Sequence, residues 1–440
     1  MEDLNSLRDG IASGRLKGQK ELKLSDGISE FPQELFALAD SLELLVLSNN
    51  LLRSLPSSFS KFKRLKIVFF NNNKFETFPA VLAECPQLSM VSFKSNQIRQ
   101  VPEGVLSSQL RWLILTDNQV EALPHDIGRL RKLQKLMLAG NKLRSLPHQI
   151  SNCTSLELAR LSANQLTELP RELFALPRLA WLAYAGNPFC RTESQSARLE
   201  KNTAQLPIVL EAALELGDVL GQGASGVIYK SVWQEQTVAV KIFKGEITSD
   251  GLPLDEMSAC IQAGSHPNLV SVIARVQRAR VTVGLIFSFI PDGYKNLGGP
   301  PSLKTCTRDT YDDHVMFSLA TVQNIAGSIA SAAKHLHQRG IMHGDLYAHN
   351  ILTDERGDSI LGDFGAASLF DIEAKDNLLL KRLESRAFGC LLEDLLDRCS
   401  IQKDSGDMVA FEQMRALQKR CMSEVLEERP LMEEIPSLMD

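Results

Sequence analysis

The residues most able to do chemistry in this 440-residue chain lie in its second half. Asp345 and Asn350 stand five residues apart in a short polar loop, Ile341 to Leu352, between two apolar runs. Asp363-Phe364-Gly365 comes eleven residues after Leu352. Upstream, Gly221, Gly223 and Gly226 have GxGxxG spacing, and Lys241 closes the run Thr237-Val238-Ala239-Val240-Lys241. The glycine spacing alone also suits a dinucleotide fold. The residues after the glycines decide between the two, because Val227 to Trp233 continues as strand instead of opening a helix. A glycine loop between two strands can close over nucleotide phosphates with backbone N–H groups, and Lys241 then reaches those phosphates. That lysine needs a carboxylate to position it. Glu256, in the helix-like run Leu254 to Ala263, is the better placed, with Asp255 as its rival.

Together these stretches resemble the protein-kinase superfamily: the glycine loop with Ile228 at its usual valine position, the Val238–Lys241 strand, His266-Pro267-Asn268, the Asp345/Asn350 loop and Asp363-Phe364-Gly365. Trp233, Cys421 and Glu428-Arg429-Pro430 resemble its tyrosine-kinase-like branch. The resemblance implies ATP as co-substrate, with Gly221, Gly223, Gly226, Ile228, Ala239, Lys241, Phe287 (the gatekeeper position) and Phe289 around the nucleotide. It implies that Asp345 orients the acceptor hydroxyl and accepts its proton, and that Asn350 and Asp363 hold Mg2+. His343 is expected to shape the loop through a hydrogen bond. Glu384 stands where an aspartate usually braces that loop. Phe317 to His337 carries Val322, Ile325, Ile329, Ala332 and Leu336 at helical spacing, so a buried helix leads into the loop. Pro291 to Asp312, rich in Gly and Pro, reads as loop at the cleft mouth.

The sequence departs from the family in three places. Gly344 replaces the arginine that usually precedes the catalytic aspartate. Only 18 residues, 366–383, separate Gly365 from Glu384, with no Ala-Pro-Glu motif and Ser368 as the sole hydroxyl. Tyr347 and His349 replace the residues that distinguish serine/threonine from tyrosine kinases. Activation by phosphorylation of this segment is therefore not expected, and the usual peptide shelf is reduced.

The first half is a repeat. Asn50, Asn73, Asn96, Asn118, Asn141, Asn164 and Asn187 are spaced 23, 23, 22, 23, 23 and 23 residues apart, each in a matching frame of leucines. This resembles the leucine-rich repeat. Each copy offers a short strand whose apolar positions point into a stack that one repeat cannot bury alone. The asparagine amide can satisfy backbone groups where each strand turns away. Leu44, Phe69, Met90, Trp112, Ile114 and Trp181 should line the inner curved face, an apolar stripe suited to a protein partner or to packing against the chain's other half.

These features predict an α/β leucine-rich-repeat solenoid over residues 1–190, a connector over 191–213, and an α+β two-lobed protein-kinase-like domain over 214–440. Residues 1–190 hold 23 Lys and Arg against 18 Asp and Glu, and the rest is net acidic. With no basic run, nucleic acid is not an expected partner. Eight scattered cysteines fit reduced thiols in a cytoplasmic protein, although delivery into another cell as an effector fits equally. The most apolar window, Val281 to Ile290, is about half the length needed to cross a bilayer, so no membrane anchor is expected. The expected activity is transfer of a phosphoryl group from ATP to a protein hydroxyl, Ser/Thr favoured. A small-molecule phosphotransferase, which can share His-Gly-Asp and a short activation region, and a non-catalytic scaffold are the alternatives.

Overall fold

The computed structural model describes residues 3–190, 192–374, 376–401 and 407–439; Arg191, first residue of the expected connector, and the outermost residues of both expected domains lie outside them. The chain divides into two compact units, Met1–Leu176 and Pro177–Asp440. The expected boundary was residue 190. The division into units precedes it, so the strand Trp181–Ala183 falls in the second unit.

In the first unit, three-residue strands from Glu21–Lys23 to Leu158–Arg160 pair in parallel, one per repeat. Short 3-10 turns such as Ser57–Lys61 and His125–Arg129 form the other side. The asparagines make the ladder continuous. The Asn141 amide donates to Leu115 and Leu138 carbonyls at 2.8 and 2.9 Å and accepts from Val120 N–H at 2.9 Å, all buried. Asn164 repeats the pattern one turn along, on Leu138, Leu161 and Leu143. The strand side chains between the leucines are less open than expected. Leu44, Phe69 and Ile114 are half-buried, whereas Met90 and Trp112 are buried, the indole of Trp112 lying beneath the Lys135 ammonium, 4.8 Å from the ring centre.

The second unit contains the two lobes. Its six-stranded sheet runs in the order Val219–Gln222, Gly226–Trp233, Gln236–Phe243, Val281–Ser288, Val272–Arg278, Ile208–Leu210. The last strand lies in the stretch expected to be a connector. It is instead an edge strand, parallel to Val272–Arg278, with Val209 in the same core as Val240, Ala274 and Ile286. The helix before it, Glu193–Gln205, starts on a capping box made by Thr192 and Gln195, and Asn202 bonds Gln262 at 2.9 Å. No periodic signal marked this: one three-residue strand between polar segments is too short to read.

The larger lobe is built on helix Leu319–Gln338, capped by Ser318, which buries Val322, Ile325, Ile329, Ala332 and Leu336 as the spacing predicts. Helix Asn377–Asp397 packs against it with Leu383, Phe388 and Leu392 buried. The Asp345 loop emerges between these helices.

Candidate active site

The site assembles at the junction of the lobes. Pairing of Gly226–Trp233 with Gln236–Phe243 sets Ile228 opposite Lys241, and the next strand sets Phe287 opposite Ala239. A Cβ on Gly226 would lie 2.5 Å from the Ile242 carbonyl, so only glycine lets the loop leave the sheet here. Lys244 reaches back to the Gly223 carbonyl at 3.1 Å. Phe287 is buried at the end of its strand, and Phe289 lies half-buried beyond it under the Lys230 ammonium.

Lys241 is ion-paired to Glu256, which is 3% exposed on helix Pro253–Ala263. Glu256, not Asp255, is therefore the lysine's partner. Burial pushes the Glu256 carboxyl above its ordinary value; the Lys241 charge opposes this and the Asp363 charge adds to it. That coupling reports how near the three groups stand. A Cβ on Gly365 would lie 3.1 Å from Asp363 Oδ1 and 4.0 Å from Glu256 Oε2.

The Asn350 amide donates to the Asp345 carboxylate at 2.8 Å and to its carbonyl at 2.9 Å, fixing the loop across five residues. Two further bonds tie it to the turn at Asp363. Gly362 N–H donates to Asn350 O at 2.9 Å, and His343 Nε2 to Gly362 O at 2.9 Å. His343 Nδ1 accepts from Asp345 N–H at 3.3 Å, so this imidazole shapes the loop as expected. Asp363 has a left-handed φ of 54°, a conformation Asp tolerates better than most residues, and its carboxylate accepts from Gly365 N–H at 3.1 Å.

Glu384 is fully buried beneath the loop. It accepts from Gly344 N–H and from His337 Nε2, both at 2.7 Å. Burial raises its pKa, but these bonds and the His337 and His343 imidazoles outweigh it and hold the carboxyl below its ordinary value. Gly344 has φ 71°, and a Cβ there would sit 2.7 Å from the Ala366 and Leu182 carbonyls, so the arginine usual at this position has no room here.

Three fixings escaped the sequence reading. Asp309, from the Pro291–Asp312 loop, accepts from Ala348 N–H at 2.5 Å and holds His349 Nδ1 at 2.6 Å. Burial opposes the His349 charge, yet Asp309, with Asp345 and Asp363 beyond it, raises its pKa. Trp181, expected on a face suited to a protein partner or to packing against the chain's other half, is 2% exposed: its ring stacks on Tyr347 at 4.4 Å with 7° between planes. Ser368 is buried, its hydroxyl accepting from the N–H groups of Tyr184 and Ala185 at 2.9 and 3.1 Å. A loop aspartate carries no sequence signal, and Trp181 was legible only as one more repeat position.

The donor set suits a hard divalent cation. Asn350 has committed its N–H groups and keeps its carbonyl oxygen, and Asp363 offers a carboxylate. Among the described residues no cluster of three or more His, Cys, Asp or Glu could hold a metal unaided. Such an ion would complete its shell with phosphate oxygens and water.

Residues 214–386 match the family model described as protein kinase domain, and residues 108–166 match that of the leucine-rich repeat. The chain carries leucine-rich repeats followed by a protein kinase domain. The chain is 32% identical over 135 residues, 30% of its length, to a probable serine/threonine-protein kinase of Dictyostelium discoideum, covering 7% of that protein. It is 27% identical over 167 residues, 37% of this chain, to a probable LIM domain-containing serine/threonine-protein kinase of the same organism, covering 24% of it. A CBL-interacting protein kinase of Oryza sativa subsp. japonica is 28% identical over 203 residues, 41% of this chain and 43% of that protein. The chain thus spans less than half the length of each. A protein kinase domain implies ATP and a divalent metal. No helix among the described residues is long and apolar enough to cross a membrane.

Proposed function

We propose that this chain is an ATP- and Mg2+-dependent protein kinase that phosphorylates a protein hydroxyl, serine or threonine favoured. The observation that carries the reading is the simultaneous pairing of Lys241 with buried Glu256 and of Asn350 with the Asp345 carboxylate. A carboxylate whose pKa burial has raised is costly to keep opposite a lysine, and such perturbed pairs gather at functional sites. The serine/threonine preference rests on the Dictyostelium discoideum relatives whose names carry it.

Bound ATP and Mg2+ would supply the transferable phosphoryl group and neutralise its charge. The chain's residues do the rest. Lys241, held by Glu256, directs an ammonium at the phosphates, while N–H groups of the loop at Gly221, Gly223 and Gly226 cover them. Ile228, Ala239, Phe287 and Phe289 enclose the base. Asp345, oriented by Asn350, accepts the proton of the incoming hydroxyl. Asn350 and Asp363 hold the cation through oxygen.

The repeats, residues 1–190 in this reading, serve as a protein-docking domain that raises the effective concentration of substrate. Leu44, Phe69 and Ile114 are the half-buried apolar positions available to a partner. A cytoplasmic location suits the thiols, of which Cys153 and Cys421 are both pushed up to about 12 by burial and so unreactive.

The test is purified chain with labelled ATP and Mg2+, offered protein and small-molecule acceptors, with Asp345→Asn as control. Transfer to protein, reduced at least ~100-fold in the variant, is expected for loss of a positioned general base. Transfer to small molecules alone, or to no acceptor, overturns the proposal.

A further inference from the structure

The stretch from Gly365 to Glu384 is short, and its sole hydroxyl is buried. Something other than a covalent modification must hold the Asp345 loop. The second unit begins with residues 177–190, and these touch that loop and its neighbours at successive points. Arg429, 1% exposed, donates to the Pro177 carbonyl at 2.8 Å and to the Leu179 carbonyl at 3.5 Å. Trp181 Nε1 donates to the Leu346 carbonyl at 3.1 Å while its ring covers Tyr347. The Leu182 carbonyl lies against Gly344. Further along, the N–H groups of Tyr184 and Ala185 meet the Ser368 hydroxyl. Ser368 in turn pairs as strand with Met342, at the start of the loop. One extended segment therefore bears on residues 344, 346 and 347, on both sides of Asp345.

The geometry points to Trp181 as a positioning residue for Asp345, and to residues 177–185 as a permanent brace of the catalytic loop, in place of a phosphorylation switch. Two properties of the contact support this. A buried indole N–H requires an acceptor, so the bond to Leu346 fixes the backbone carbonyl one residue beyond the catalytic carboxylate. The near-parallel stack fixes the direction of Tyr347, itself 4% exposed and two residues beyond Asp345. Gly344 completes the fit, since any side chain there would push the segment away. The kinase unit then cannot be detached at residue 190 without losing its own brace, although the repeat pattern runs through Asn187.

This inference rests on the proposed kinase reading for its activity readout, so the test also includes one that needs no activity. In the full chain, Trp181→Phe keeps the stack and loses the N–H donor, and Trp181→Ala loses both. Turnover should fall about 3- to 10-fold in the first and about 10- to 100-fold in the second. Binding of ATP, measured separately, should change less than about 3-fold, because Lys241, Glu256 and the glycine loop are untouched. Hydrogen exchange in the peptide spanning residues 343–351 should quicken in the order wild type, Phe, Ala, with no change over residues 226–243. If the wild type transfers no phosphate while the graded exchange is seen, the kinase reading falls and the brace stands. Unchanged exchange at 343–351 in both variants overturns the brace. So does equal loss of turnover and ATP binding in Trp181→Phe, which is what general destabilisation would give. Stoichiometric phosphate on Ser368 in active protein, read by intact mass, also overturns it, because that hydroxyl cannot carry phosphate and accept from Tyr184 and Ala185.

Discussion

Replacing Glu256 by glutamine should separate activity from stability. In the wild type the Lys241 ammonium, 12% exposed, meets a carboxylate that is 3% exposed. Glutamine keeps the shape and one acceptor oxygen but exchanges a charge-assisted bond for an ordinary one. The difference is roughly 1–3 kcal/mol in how firmly the lysine is held, or about 5- to 160-fold in the fraction aimed at the phosphates. Stability should respond separately, through the titration of the carboxyl. The folded pKa of Glu256 is raised, so its contribution is largest below the ordinary value of 4.5 and is lost as pH rises through the raised value. Glutamine does not titrate, so the variant should lose this decline of stability with pH. Labelled-ATP turnover and a thermal melt at pH 7 make the comparison. Unchanged turnover would refute the role of the pair. A melting temperature falling in step with turnover would show that Glu256 holds the fold and not the chemistry.

Other predictions rest on single contacts. Asn141→Ala strands three buried backbone groups in the repeat ladder and should destabilise the first unit by roughly 3 kcal/mol, allowing for partial relaxation; faster hydrogen exchange confined to the flanking repeats would register it, and protection equal to wild type would contradict it. Glu384 has a lowered folded pKa, so its stabilisation is complete above the ordinary 4.5 and disappears as pH falls through the lowered value. Glu384→Gln should accordingly flatten the decline in stability on acidification below pH 4.5, measured by denaturant unfolding across pH; an unaltered slope would show that His337 and Gly344 do not hold the charge.

How much of this was legible in the sequence varies with the range of the interaction. The repeat register, the helix Leu319–Gln338 and the order of the site residues were all legible, because periodicity and local motifs survive in one dimension. Glu256 was preferred with Asp255 as its rival, and since neighbours on a helix point about 100° apart, packing selects between them. The edge strand Ile208–Leu210 was missed, having too few residues to show a period.

The sequence by itself determined two halves, repeats and kinase, and the residue types able to position phosphates, a cation and a hydroxyl. Tertiary structure alone decided what holds those residues still. Trp181 lies 166 positions before Tyr347, and Asp309 lies 40 before His349. A side chain's partner at such separations leaves no periodic trace, because it depends on where two distant segments are brought by the burial of everything between them. The alternation of its strand put Trp181 among the inner-face residues and left open whether a partner or the chain's other half would cover it. The fold covers Trp181 itself with Tyr347, since a large aromatic surface and a buried N–H are both better satisfied against the catalytic loop than in water.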